Sequence, residues 1–164
     1  MKTSKTDYLA ILRALVEHHV DFIIVGGVCA VLHGAPIATF DLDVVHSRAP
    51  ANVDRLLAAL AWLDAHFRGQ GGRPLTPDRS HLSSPGHQLL MTRFGPLDVL
   101  GVIGRGRGYD ELLAQTVSLD LQGGLKVRLL DLQALIQTKE EAARDKDKAV
   151  LAILRRTLGE RTKV

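Results

Sequence analysis

Residues 21–45 read DFIIVGGVCAVLHGAPIATFDLDVV, and this stretch decides the fold. Residues 21–25 (DFIIV) are a short, β-branched apolar run and predict a buried strand. Gly26-Gly27 stops that strand, and residues 28–33 predict a short helix ended by Gly34 and Pro36. Residues 40–45 (FDLDVV) alternate apolar and acidic until their last pair, which predicts a second strand. Side chains two apart in a strand point to one face, so Asp41 and Asp43 converge on the same side.

Working outward, residues 6–19 carry a helical stripe of Leu9, Leu12, Ala14, Leu15 and Val16, opened by Thr6 or Asp7 as a cap. Pro50 opens a helix predicted to run through about Phe67, with Leu56, Leu57, Leu60 and Leu63 inward. Residues 69–85, rich in Gly, Pro, Arg and Ser, predict a loop or a loosely formed edge. Residues 88–93 and 96–102 predict two strands joined by Phe94-Gly95. GRGRGYDELL predicts a turn leading into a short helix. Residues 117–121 and 125–130 predict a hairpin. A long C-terminal helix follows, capped by Asp131 and running to about Leu158. The order α-β-α-β-α-β-β-α-β-β-α implies an α/β (α+β) domain with a mixed sheet flanked by helices. With no internal repeat or linker, residues 1–164 read as a single domain.

The chain is 46% hydrophobic and 24% charged, a globular composition. No apolar run is long enough to span a bilayer, and the amino terminus lacks the h-region of a signal peptide. The one cysteine, Cys29, reads as small core filler, and a reducing, cytoplasmic location is the plain inference. Net charge is only +3, yet residues 68–107 hold six arginines against Asp78 and Asp98. That field suits a polyphosphate or a nucleic acid, although a solvated surface face is the commoner explanation. Aromatic residues are too few for a base-stacking platform.

Asp41 and Asp43 repel each other unless a cation or protons compensate. Hard oxygen ligands at this spacing suit Mg²⁺ or Mn²⁺, which bind through carboxylates and substrate phosphates. Surface strands also produce this pattern by chance, so taken alone it leaves both readings open. Asp98, within PLDVLGVIG, is a costly acid to bury without a partner. Its structural reading is an ion pair with an arginine such as Arg93, or a capped backbone amide. Its functional reading is a carboxylate on a neighbouring strand that completes the ligand set begun by Asp41 and Asp43. Gly26-Gly27 lets backbone N–H groups approach a phosphate at a helix start, while a bare Gly-Gly is more often only a turn. Neither a P-loop Gly-Lys-Ser/Thr nor a G-x-G-x-x-G is present.

Three segments together, GGVCAVLHGAPIATFDLDVV, LMTRFGPLDVL and LLDLQALIQTKEEAARDKDKAVLAIL, resemble the DNA polymerase beta-type nucleotidyltransferase superfamily. The chain looks most like small bacterial members related to abortive-infection nucleotidyltransferase toxins. The motifs are the Gly-Gly turn, a His-Gly-x-Pro segment before Thr39-x-Asp-x-Asp, a third aspartate on a later strand, and a charged last helix. The resemblance implies a nucleotidyltransferase fold in which Asp41, Asp43 and Asp98 hold Mg²⁺ (or Mn²⁺) against a nucleoside triphosphate. Gly26, Gly27 and Thr39 would lie at the triphosphate, with Lys139 reaching phosphate and Asp98 assisting deprotonation of an acceptor hydroxyl. The acceptor would be a tRNA 3′ end, a protein hydroxyl or a small molecule.

On the last helix, Leu132, Leu135, Ile136, Ala143, Val150 and Leu154 form an inward stripe. Lys139 and Asp147 fall on or beside it, and charges on an inward face need a reason. One reason is phosphate binding, with Asp147 as orienting partner; the other is a structural ion pair among Lys139, Arg144 and Asp147. Three positions depart from the family pattern, one before the Asp-x-Asp and two on the last helix. Ile37 stands where relatives often carry arginine, and Val150 where a further acid is frequent; Asp145 also replaces a residue often Pro-like. These departures favour a rival: a catalytically weak module of the same fold that binds nucleotide or an antitoxin-type protein partner. An ordinary α/β fold with chance acids is the third reading. His33 and His46 read as hydrogen-bonded structural histidines, and Arg105 and Arg107 as loop arginines or a phosphate-closing loop.

Overall fold

The computed structural model describes residues 5–69, 71, 73–142 and 147–161. Its elements are α1 (Tyr8–Glu17), β1 (Phe22–Val25), α2 (Gly26–Leu32), β2 (Leu42–His46), α3 (Pro50–Trp62), β3 (His66–Phe67) and α4 (Arg79–Ser83). There follow β4 (His87–Thr92), β5 (Gly95–Leu100), β6 (Val102–Ile103), β7 (Arg107–Gly108), α5 (Tyr109–Leu112), β8 (Thr116–Leu121), β9 (Leu125–Leu130), α6 (Leu132–Ala142) and α7 (Asp147–Arg161).

Among the described residues, seven strands form one sheet in the order β3-β4-β5-β2-β1-β9-β8, and β6 pairs with β7 apart from it. β1 runs antiparallel to β2 and parallel to β9, while β2 runs parallel to β5. The sheet is therefore mixed, as the order of elements implied. All four residues of β1 are buried, because strands flank it on both sides and helices cover the sheet; a continuous apolar run is what such a position requires. Ile11, Leu12, Ala14 and Leu15 form the buried face of α1, which packs on β9 and α3, while α2 packs on β1, β2 and α6. Asp7 caps α1 by accepting from the Ala10 N–H at 3.0 Å.

The structure departs from the sequence expectations at several boundaries. The glycines are not a separate turn but the first two residues of α2. Gly26 takes φ +67°, a left-handed conformation open to glycine, and swings the chain directly from strand into helix. β2 starts at Leu42, so Asp41 sits in a bend just before it. The Pro50 helix ends at Trp62 rather than near Phe67. Asp64 adopts φ +55°, and His66 and Phe67 then pair with Met91 and Leu90 as an edge strand. Within residues 69–85 lies α4, whose cap Asp78 accepts from the His81 N–H while the His81 ring accepts from the Asp78 N–H. The GRGRG segment is the turn and second strand of the β6–β7 hairpin, and it leads into the short helix α5 as expected. The C-terminal helix is described as α6 and α7, with Asp131 accepting from the Ala134 N–H at 2.7 Å. Ala143, Arg144 and Asp145 lie outside the described residues.

The segment that leads into Asp41 is tethered from the amino-terminal side. The Tyr8 hydroxyl donates to the Thr39 carbonyl at 2.9 Å, and the Thr6 hydroxyl donates to the Phe40 carbonyl at 3.2 Å. These bonds tie the residues just before Asp41 to the start of α1 and the residue preceding its cap.

Candidate active site

Strand register assembles the site. Val25 lies opposite Asp43, Asp43 opposite Asp98, and Asp98 opposite Leu89, one residue from each of β1, β2, β5 and β4. Residues directly opposite on neighbouring strands project to the same face. All four line one cavity of about 630 Å³, together with Gly26, Asp41, Arg68, Lys139 and Asp147. That volume falls within the range of small-molecule sites.

Asp98 is buried, and Asp41 and Asp43 are half-buried. Desolvation, the Asp98 charge, a hydrogen bond shared with Asp98 and the Asp41 charge push the Asp43 carboxyl up to about 7, against a smaller pull from Lys139. Surplus negative charge has thus been gathered at one point of the fold. Gly26 packs against this point so closely that a Cβ there would strike the Asp43 carboxylate. Gly27 instead faces Thr39, whose Oγ1 would stand 2.5 Å from an added Cβ. Thr39 also donates to the Asp41 carbonyl at 3.3 Å. Gly26 therefore lines the cavity, whereas Gly27 and Thr39 lie outside its lining and brace the approach to Asp41.

Sequence reasoning missed Arg68. It follows β3 directly and donates its backbone N–H to the Leu89 carbonyl at 3.1 Å, which continues the row of opposed residues by one more member. Its guanidinium reaches back over Leu89. Nη1 donates to Asp98 Oδ1 and to the Leu90 carbonyl, each at 2.7 Å, and Nη2 stands 4.0 Å from Asp41 Oδ2. The expected partner Arg93 is elsewhere, donating to the Trp62 carbonyl and stacked 4.3 Å over the Trp62 ring. The arginine-rich run 68–107 was the available signal; which arginine faces the acids depends on strand pairing alone.

Lys139 and Asp147 face each other across α6 and α7, Nζ to Oδ1 at 3.8 Å, and both line the cavity. The structural ion pair and a cavity-facing lysine are thus both present, while Arg144, the third member of that expected cluster, lies outside the described residues. Arg107 of β7 is engaged by Glu141 of α6 through bonds of 2.7–3.1 Å, and the Arg105 N–H donates to the same carboxylate at 3.2 Å. This clamp holds the β6–β7 hairpin, whose Val102, Ile103 and Gly104 form one wall of the cavity. His33 and His46 serve the core, each ring Nε2 donating to a carbonyl at 2.7 Å, of Leu130 and Leu82 respectively. Cys29 is buried and its thiol is pushed up to about 12 by desolvation, so it stays protonated as core filler.

Whether these residues suit a divalent cation turns on the donor set. Among the described residues, no group of three or more His, Cys, Asp and Glu side chains is gathered closely enough to hold a metal ion. Two carboxylates, Asp43 and Asp98, do stand together, and Mg²⁺ commonly binds one or two carboxylates with substrate phosphates and waters supplying the rest. The all-oxygen chemistry and the excess charge fit such an ion, with Asp41 two residues from Asp43 on the same side.

The fold is a nucleotidyltransferase-like one, a mixed sheet flanked by helices with a helical C-terminal end. It is similar to the crystal structure of a protein from Thermotoga maritima described as a "putative nucleotidyltransferase". The TM-score is 0.56 at 15% sequence identity, over 93% of this chain and 90% of that one. No family model matches the chain, and no curated protein matches it. Among the described residues, no helix is long and apolar enough to cross a membrane.

Proposed function

We propose that the chain is a nucleotidyltransferase, dependent on Mg²⁺ or Mn²⁺, that moves a nucleoside monophosphate from a nucleoside triphosphate to an acceptor hydroxyl. The observation that carries this reading is the pairing of Asp43 with Asp98 across parallel strands, facing a cavity that Arg68 and Lys139 also line. Carboxylates gathered beside cations at a nucleotide-sized cavity match the needs of phosphoryl chemistry, which is dominated by positioning and charge stabilisation.

Asp43 and Asp98, with Asp41 beside them, would hold the divalent ion. When bound, such an ion supplies charge neutralisation for the polyphosphate and acidifies an acceptor hydroxyl. Gly26, lacking a side chain, leaves the backbone at the start of α2 open beside Asp43. Lys139 carries its ammonium into the same cavity, where it offers a point charge to a phosphate oxygen. Asp98 would take the acceptor's proton as the acceptor oxygen bonds to the α-phosphorus and the bond to pyrophosphate breaks. The β6–β7 hairpin, held by Glu141, walls off part of the site from water. The acceptor class is a tRNA end, a protein hydroxyl or a small molecule.

One observation favours a second reading, the catalytically inert module that binds nucleotide or a partner protein, as in a toxin–antitoxin pair. Arg68 already neutralises Asp98, as a site with no use for a cation would require. Incubation with labelled nucleoside triphosphates, Mg²⁺ and tRNA or cell lysate separates the two. Transfer of label by the native chain and its loss in Asp43→Ala are expected; equal transfer by both would falsify the enzyme assignment. Nucleotide binding by calorimetry without turnover would establish the second reading.

A further inference from the structure

The Arg68 guanidinium occupies a carboxylate oxygen that would otherwise be open to a divalent ion held by Asp98. It uses Oδ1 of Asp98 at 2.7 Å and lies 4.0 Å from Asp41, so it sits between two of the three carboxylates. We propose that Arg68 is a built-in counter-cation of the carboxylate cluster, which a divalent ion must displace, and that this residue therefore sets the affinity of the site for metal. The inference rests on the metal-dependent reading given above and goes beyond it by assigning Arg68 a role.

Three features carry it. First, the aspartates lie along one face of one cavity, yet they are not gathered as a set of metal ligands. The element that comes between Asp98 and Asp41 is this side chain. Second, a guanidinium and a doubly charged ion cannot share a carboxylate oxygen without strong repulsion, because like charges at contact distance repel steeply in a half-desolvated site. Binding of one therefore excludes the other from Oδ1 of Asp98, the oxygen that Arg68 occupies. Third, Arg68 is held in a way that permits exchange. It follows a two-residue strand at the sheet edge and precedes Gly69. Its side chain retains 27% exposure, and release breaks its bonds to Asp98 and the Leu90 carbonyl without disturbing the central strands.

Without metal, Arg68 keeps the buried acids compatible with folding. With metal, Arg68 leaves Asp98 and remains at the rim of the same cavity. The cost of breaking its charged hydrogen bonds appears directly as weaker metal binding.

Calorimetric titration of the full chain with Mn²⁺ alone tests this, comparing the native protein with Arg68→Ala and Arg68→Lys. Removing the competitor should tighten Mn²⁺ binding about tenfold in Arg68→Ala, the scale of one lost charge-assisted bond, with Arg68→Lys between the two. In the native protein, the Arg68 side-chain ¹⁵N resonances should lose their protection from solvent exchange when Mg²⁺ is added. Equal or weaker Mn²⁺ binding by a folded Arg68→Ala, with a native binder as reference, overturns the proposal and leaves the metal site standing. If Arg68→Ala does not fold, Arg68→Lys binding no more tightly than the native chain, or Arg68 resonances that ignore saturating Mg²⁺, overturns it equally. Failure of all three proteins to bind Mn²⁺ removes the metal site itself, and this proposal with it.

Discussion

Asp43 and Asp98 stand directly opposite each other on the parallel neighbours β2 and β5 and share a hydrogen bond. Two carboxyls in that relation need a proton or a cation between them, and the fold holds them together by strand pairing rather than by any local turn.

The first consequence is a pH dependence of stability. The ordinary carboxyl value is 3.8, and the folded environment raises Asp43 to about 7. The folded chain therefore keeps a proton that the unfolded chain has released. Stability from this group is complete below the ordinary value and is lost as pH rises through about 7, a loss on the order of a few kcal/mol. In chelator, the melting temperature of the native protein should fall more steeply between about pH 5 and about pH 8 than that of Asp43→Asn. Burial lowers His33 and His46, which slopes the other way and is common to both proteins, so the comparison isolates Asp43. Identical slopes would show that Asp43 is not crowded as described.

Gly26 makes the second prediction. Alanine there meets both a backbone φ of +67° and the Asp43 carboxylate. Gly26→Ala should cost about 1–3 kcal/mol in denaturant unfolding and also abolish Mn²⁺ binding. Gly34→Ala has a positive φ of +95° but open space around it, so it should carry backbone strain alone and leave Mn²⁺ binding unchanged. Loss of binding in both variants, or in neither, would contradict the close packing of Gly26 on Asp43.

The Glu141 clamp can be read by hydrogen exchange. Hydrogen bonding from Arg107 holds the Glu141 carboxyl at about 2, so its contribution is present above the ordinary value and fades as pH falls towards the lowered one. Glu141→Gln should speed exchange of the Arg105 amide, which donates to that carboxylate, while exchange in β1 stays slow. Unchanged exchange at Arg105 would mean that the hairpin is held by something else.

A core and a surface residue, two positions apart in sequence, bracket the energetics. Leu42 is fully buried, whereas Phe40 is 77% exposed. Leu42→Ala should lower unfolding free energy by about 2–5 kcal/mol, and Phe40→Ala should change it by less than about 0.5 kcal/mol. A large loss at Phe40 would place β2 in the wrong register.

Much of this protein was legible along the chain. Apolar runs located the central strands, and Asp7 and Asp131 were readable as caps because capping is a contact between near neighbours. The two-residue period of a strand pointed Asp41 and Asp43 to one side; both do line one cavity, although Asp41 sits in a bend just before β2 rather than within the strand. Other local features were present but easily passed over: Asp78 and His81 form a reciprocal cap inside a Gly/Pro-rich stretch, and Asp64 ends α3 by a backbone turn that residue type alone does not announce. What the chain could not disclose was which strands become neighbours. Asp98 lies beside Asp43 because β5 pairs with β2, and Arg68, not Arg93, reaches Asp98 because β3 closes the edge next to β4. Those pairings join residues some 30 to 55 positions apart. They are decided when whole apolar faces are buried together, an energy spread over the entire core and carried by no single motif.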